Sequence, residues 1–177
     1  YKDRINDAFL ALPTLSVVTN SDNFWAQDGL YLNTTRSSPN NSGADFKYEF
    51  EVSAELIHSD GSRGFQIQCG IRAQGGASRN ADRSPKHAMS LRFRRAYGEG
   101  RLNYPIIKDS PQTSFDAVHL RARYNNSWIH NDNGQRTRGQ LIRDQWARDS
   151  MIDMGTISAG HGSYMHLYLN GLYWGIY

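Results

Sequence analysis

Alternating apolar and polar residues predict several β-strands in the first half of the chain. In each run the apolar side chains share one face, as Met89, Leu91 and Phe93 do. The run that begins at Phe65 loses its alternation at the Gly75-Gly76 pair. The predicted strands occupy residues 12–18, 46–57, 65–74 and 88–93, with a candidate short strand at 29–32 inside the polar stretch 21–41.

One main helix is predicted in the second half of the chain. It begins near Thr137 or Gly139 and runs to Met154, where Gly155 supplies the stop. One row along this helix comprises Ile142, Trp146 and Ser150. Ala147, Met151 and Met154 flank that row.

The dipeptide Asn170-Gly171 predicts a tight hairpin because both residue types accept the positive φ angles of a type I′ turn. Its strands are residues 164–169 and 172–177. A further strand is predicted at 115–121, and 102–106 is irregular or lies at a sheet edge. Together these elements predict an α+β fold in which a mostly antiparallel sheet packs with one main helix.

Length and composition fit one domain with a substantial core. The chain has 177 residues, of which 38% are hydrophobic, and no apolar run has membrane-spanning length. Its first residues are too polar for a signal peptide. Because the last predicted strand is still running where the sequence stops, we expect residues 1–177 to form a single partial domain.

Several common catalytic and metal-binding motifs are missing from the sequence. Cys69 is the only cysteine, which excludes an internal disulfide and a four-thiolate zinc site, and its strand position predicts a small core residue. The six histidines lack the HExxH spacing of a zinc helix. Neither a GxSxG elbow nor a GxxxxGK[ST] loop occurs, so serine-hydrolase and P-loop functions have no motif behind them.

The charge balance is slightly basic, with 20 Lys and Arg against 17 Asp and Glu. Much of the positive charge falls within residues 92–101 and 121–148, where it forms either a solvated surface or a site for anionic ligands. Trp128 and Trp174 are expected to be packing residues.

The predicted helix carries charges of both signs at helical spacing. Arg143 and Asp144 are followed one turn later by Arg148 and Asp149. These residues either pair on the helix surface or turn one carboxylate inward to a strand lysine, as in kinase-like folds.

The loop after the Phe65 strand is the best candidate for chemistry. It contains the Gly75-Gly76 pair, and Lys86 lies where it enters the next strand. Open backbone N–H groups and one point charge suit a phosphate oxyanion. A β-bulge or wide turn explains the glycine pair about as well.

Four segments carry a family resemblance in the right order. They are residues 72–86, 121–126, 141–149 and 168–177, the last ending in Tyr-Trp-Gly-Ile-Tyr. From about Leu12 onward the chain resembles the CotH family of spore-coat-type atypical protein kinases. Matches to the family's Arg-x-Arg-Gly-Asn-Ser-Ser/Thr and later Lys motifs are Arg72, Gly75, Ser78 and Lys86. Departures from those motifs are Gln74, Gly76, Ala77 and His87.

The resemblance implies that this chain forms the N-terminal lobe of a kinase that uses ATP with Mg or Mn. The implied nucleotide-binding residues are Arg72, Gly75, Gly76, Ser78 and Lys86. Asp144 or Asp149 would orient Lys86. The catalytic base and the metal ligands would lie beyond Tyr177, so this portion alone is not expected to turn over.

The resemblance further implies that the parent protein phosphorylates Ser or Thr of a spore-coat or cell-surface protein. It places that protein in the cell envelope, the spore coat or outside the cell, with neither nucleic acid nor membrane as a partner. The alternative is a non-catalytic extracellular binding module whose aromatic strands and polar loops contact glycans or coat proteins.

Overall fold

The computed structural model describes residues 2–32, 49–79, 83–156 and 159–177. Its main feature is a seven-stranded sheet in the order β7-β4-β3-β2-β1-β8-β9. The strands of this sheet are β1 (Thr14–Val18), β2 (Phe50–Ile57), β3 (Gln66–Gln74), β4 (Ala88–Arg92), β7 (Ala117–Leu120), β8 (His166–Leu169) and β9 (Leu172–Ile176). A separate two-stranded ribbon comprises β5 (Leu102–Asn103) and β6 (Ser114–Phe115).

Neighbouring strands are antiparallel except β1 and β8, which run parallel. The apolar faces predicted from alternation are buried: Leu15 and Val17 in β1 are fully inaccessible, as are Met89 and Leu91 in β4. Cys69 is buried in β3, as its strand position predicted. The α+β prediction is confirmed as a mostly antiparallel sheet with few helices.

The strand predicted at 115–121 is divided in two. Phe115 belongs to the small ribbon, whereas residues 117–120 form the edge strand β7 of the main sheet. A bend at Asp116 separates them, and the Asp116 carbonyl accepts a hydrogen bond from Phe93 N at 2.9 Å. Alternation continues across this bend, so the pattern alone did not reveal the change of sheet.

The prediction of a short strand at 29–32 is wrong. A short helix, α2 (Ser21–Trp25), precedes it, capped by the Asn20 side chain, which accepts from Asp22 N. The chain then folds back so that Leu30 N and Tyr31 N donate to carbonyls of that helix. Leu30 and Tyr31 are therefore buried without a strand partner. Residues 46–48 of the next predicted strand lie outside the described residues.

The predicted helix begins later than expected. Residues Asn133–Thr137 form a separate short helix, α3, and the main helix, α4, spans Arg143–Asp153. Between them, a Cβ on Gly139 would lie 3.1 Å from the Ser127 carbonyl, so the chain is pressed against a neighbouring loop. The predicted stop is confirmed, because Gly155 follows the helix with a φ of 84°. The remaining helix, α1 (Ile5–Leu10), lies at the start of the chain.

The apolar residues of α4 do not face the core. Ile142 and Trp146 are 62% and 67% exposed, and the buried residue of the helix is Gln145. Trp128 is also exposed, so its expected packing role is wrong, whereas Trp174 packs against the core as expected. Within the described ranges, no helix has the length and apolar character needed to cross a bilayer.

The closing hairpin is confirmed. Asn170 and Gly171 adopt φ angles of 48° and 80°, as a type I′ turn requires. The hairpin joins the sheet through the parallel pair of β8 with β1, and β9 forms an edge. The Tyr177 hydroxyl, just after β9, donates to the carbonyl of His87, next to the start of β4.

Candidate anion-binding site

The loop between β3 and β4 begins with a glycine that its geometry requires. Gly75 has a φ of 108°, and a Cβ at this position would lie 2.5 Å from Ser78 Oγ. Gly76 is exposed, and a Cβ there would meet nothing within 4 Å. A single turn of 3-10 helix, Ala77–Arg79, follows. Gly75 thus lets the backbone turn tightly against the Ser78 hydroxyl, and the Gly76 carbonyl accepts a hydrogen bond from Arg79 N at 3.2 Å.

Lys86 lies at the other end of this loop in an unusual environment for an ammonium group. Its Nζ donates to the Ile176 carbonyl and lies 4.0 Å from the centre of the Tyr177 ring. No carboxylate among the described residues forms an ion pair with it. Burial, and after it the charge of Arg123, lowers the pKa of Lys86 from 10.5 to about 8.

A network of aromatic residues fixes the backbone around Lys86. The Tyr31 hydroxyl donates to the Pro85 carbonyl at 2.6 Å and accepts from Trp174 Nε1 at 2.8 Å. The Tyr31 ring also stacks on His87, with 4.3 Å between ring centroids. On the other side, the Tyr177 hydroxyl donates to the His87 carbonyl at 2.8 Å. Both residues flanking Lys86 are therefore anchored to buried rings.

Two further cations lie near the loop. Burial, together with the charge of Arg72, lowers the pKa of Arg79. Arg79 Nε is buried and has no hydrogen-bond partner among the described residues. A buried donor without an acceptor is costly, so this end of the loop would be stabilised by an anion.

A cleft of about 690 Å³ opens beside the loop. Its lining includes Gln74, Ser78, the residues of β7 and Tyr177, whose ring contacts Lys86, whereas Lys86 itself does not line the cleft. Its volume lies in the range of small-molecule sites. His119 of β7 also lines the cleft, shares a hydrogen bond with Gln74 and has a pKa lowered by burial, so it is neutral at pH 7.

Three arginines of the cleft lining converge on one carboxylate oxygen. Asp144 Oδ2 lies 3.1 Å from Arg121, 3.3 Å from Arg123 and 3.2 Å from Arg148. The Arg123 side chain is only 5% exposed, and its guanidinium lies over the Tyr164 ring at 4.9 Å. The backbone of Arg123 is left-handed, with a φ of 58°, which turns its side chain away from the path of β7.

The predicted site residues fall into two groups. Arg72, Gly75, Gly76 and Ser78 lie along the end of β3 and its loop, and Lys86 follows at the entry to β4. The candidate orienting carboxylates contact other partners: Asp144 pairs with the three arginines. Asp149 accepts from Gln145 Nε2 at 2.7 Å.

Asp144 forms the surface pair that one interpretation of the helix charges predicted, but not the pair with a strand lysine that the other predicted. Its pair with Arg148 has the surface i,i+4 spacing, and it also reaches the residues that follow β7. Its strand-side partners are arginines rather than a lysine. The sequence signal for them was the Arg-x-Arg spacing of Arg121 and Arg123 directly after a strand that ends at Leu120.

The described residues fit the anionic part of a nucleotide better than its metal. Buried guanidinium nitrogens without partners, and a lysine that forms no ion pair, suit phosphate oxygens in the part of the chain that the structure describes. No three His, Cys, Asp or Glu side chains group together among these residues to hold a metal ion.

Known proteins do not narrow this assignment. Comparison with protein-family models, curated proteins and solved structures gives no match to this chain. The chemistry of the site is therefore inferred from its own geometry.

Proposed function

We propose that this chain is the nucleotide-facing part of a CotH-like atypical protein kinase. The parent protein would use ATP with Mg or Mn to phosphorylate Ser or Thr of a spore-coat or cell-surface protein. The observation that carries the proposal is Lys86: a partly buried lysine at the entry to β4, held by a carbonyl and a ring, with no carboxylate paired to it among the described residues.

An ammonium group in this position can accept an anionic ligand. It has three donors, of which the Ile176 carbonyl takes one, so hydrogen-bonding capacity remains. Its lowered pKa reflects the cost of burying a positive charge beside Arg123. A phosphate oxygen at this point would offset that cost, which is how a lysine contributes to phosphate binding in kinases.

The surrounding architecture supports the same proposal. Strands of the mostly antiparallel sheet and residues of α4 both line the cleft, and we take this sheet and helix as the counterparts of those in a kinase N-terminal lobe. In such a lobe a helix carboxylate orients the strand lysine. Asp144 has that place on the helix but is paired with arginines, so Lys86 would take its orientation from Ile176 and Tyr177.

The test is Mg-ATP binding to the chain, measured by titration calorimetry at pH 7. Lys86→Met keeps the length of the side chain and removes its charge, and we expect it to weaken binding about tenfold, the loss of one charge-assisted hydrogen bond. Lys2→Met, at an exposed position, is the matched control and should bind as wild type. Equal affinity of the wild type and Lys86→Met would remove Lys86 from the site.

The non-catalytic binding module has one observation in its favour. Trp128 and Trp146 are 65% and 67% exposed, and exposed aromatic side chains are typical of contact surfaces. The two functions differ in whether the wild-type chain binds Mg-ATP and in whether that binding depends on Lys86. A module that only contacts glycans or coat proteins would show no Mg-ATP binding in either form.

A further inference from the structure

One cluster carries more positive than negative charge; it comprises Arg121, Arg123, Arg148 and Asp144. Three guanidinium groups surround one carboxylate, which leaves a net charge of +2 within a few ångströms. All four residues line the cleft. A purely structural ion pair needs one arginine for one carboxylate, so two of these cations are in excess.

The most buried of the three guanidinium groups is incompletely satisfied. Arg123 has a side chain that is 5% exposed, yet its Nε has no hydrogen-bond partner among the described residues. Burial lowers the pKa of Arg123, and the neighbouring charges of Arg121 and Arg148 act in the same direction, although Asp144 and Tyr164 oppose them. An anion in the cleft would relieve this repulsion.

The rest of the cleft has a different chemistry. Near the arginines its lining is charged, whereas Met89, Ile106, Val118 and Met165 contribute apolar surface elsewhere. A ligand that fits both parts carries a chain of negative charge attached to a less polar body. Guanidinium groups bind phosphate oxygens through paired N–H donors, which makes phosphate a better match than a single carboxylate.

We propose that Arg121, Arg123 and Arg148 bind the phosphate chain of the ligand held in this cleft, with Asp144 as the positioning residue that holds the three guanidinium groups together. The identification of that ligand as ATP rests on the proposed function. Lys86 lies near enough to Arg123 for their charges to interact. The arginines and Lys86 therefore contribute to one region of positive potential.

Inorganic pyrophosphate is the probe that tests the arginines without a nucleotide base. Titration calorimetry compares wild type with Arg121→Gln, Arg148→Gln and the double variant, since Arg121 and Arg148 are 49% and 33% exposed and their replacement leaves the buried Arg123 paired. We expect each single change to weaken binding about fivefold and the double change about thirtyfold, a smaller effect per residue than that of a buried charge-assisted bond.

Arg95→Gln is the matched control, because this exposed arginine follows the end of β4 opposite to the cleft. It should bind pyrophosphate as wild type does. Pyrophosphate affinity that is undetectable in wild type, or unchanged in the double variant, would overturn the proposal.

The same variants titrated with Mg-ATP distinguish this inference from the proposed function. Suppose that pyrophosphate binding depends on the arginines but that no Mg-ATP binding depends on Lys86. That result supports the arginine site and contradicts the kinase assignment. Mg-ATP binding that depends on Lys86 but is unaffected by the arginine substitutions supports the kinase assignment and contradicts the arginine site.

Discussion

Lys86 and Arg123 are both cations packed over a tyrosine ring near the same cleft, but their charges are compensated differently. Arg123 reaches the carboxylate of Asp144, at 3.3 Å. Lys86 has a backbone carbonyl and the Tyr177 ring instead. A carboxylate neutralises a buried cation, whereas a carbonyl dipole only reduces the cost of burying it.

The two side chains therefore differ in whether they stay charged as the pH changes. The pKa of Lys86 falls to about 8, within reach of ordinary pH changes. Arginine remains charged at any ordinary pH, and Asp144 supports that charge. The surroundings of Lys86 are therefore sensitive to pH and to a bound anion, while the arginine cluster is preorganised.

The largest expected effect is a pH dependence of stability that belongs to Lys86. Its pKa is lower in the folded chain than in the unfolded one, so between pH 8 and 10.5 the unfolded chain binds more protons and stability rises with pH. The full rise is about 3 kcal/mol, because each pKa unit corresponds to about 1.4 kcal/mol. Urea unfolding of wild type and Lys86→Met at pH 7 and pH 10.5 measures it.

The difference between those two proteins is the informative quantity. Tyr31 and Tyr177 have pKa values raised by burial and act in the opposite direction at high pH in both proteins, so the contribution of Lys86 is the part of the change with pH that only the wild type shows. The free energy of unfolding of the wild type should therefore rise with pH relative to that of Lys86→Met. A difference that is flat with pH would mean that Lys86 is not desolvated and would erase the contrast with Arg123.

A smaller effect is expected from removing the carboxylate that holds the arginines. Asp144→Asn leaves Arg123 buried without a counter-charge, and we expect a loss of about 2 kcal/mol in the free energy of unfolding at pH 7. This is less than the 3–5 kcal/mol roughly typical of fully buried pairs, because Asp144 is 26% exposed.

Asp153→Asn is the control for that substitution, since Asp153 is exposed on the same helix. It should change stability by no more than about 0.5 kcal/mol. If the two variants unfold at the same urea concentration, the buried charge of Arg123 does not need Asp144. The statement that Asp144 compensates Arg123 would then be wrong.

Local patterns predicted most of the sheet because each strand's burial follows its own sequence. Met89 and Leu91 alternate with more polar residues, and Asn170-Gly171 specifies its turn without help from the rest of the chain. Such signals act over a few residues. They therefore survive in any fold that the chain adopts.

The partners of the site residues were not predictable in this way. The sequence singled out Asp144 as a candidate partner of Lys86, but in the structure it pairs with arginines, because the left-handed turn at Arg123 brings residues after β7 towards α4. The buried face of α4 is polar because Gly162 approaches so closely that a Cβ would lie 2.3 Å from Gln145 Oε1. Contacts between distant segments determine both features, and periodicity along one helix does not contain them.

The pKa of Lys86 itself, with and without Mg-ATP, tests the central claim most directly. A ¹H–¹³C NMR titration of the lysine side-chain methylene signals follows it without any substitution other than the one used to assign Lys86. The account predicts a pKa of about 8 in the free protein and a clear rise at saturating Mg-ATP, because a phosphate anion stabilises the charged form. A pKa that stays near 8 when the protein is saturated would contradict it.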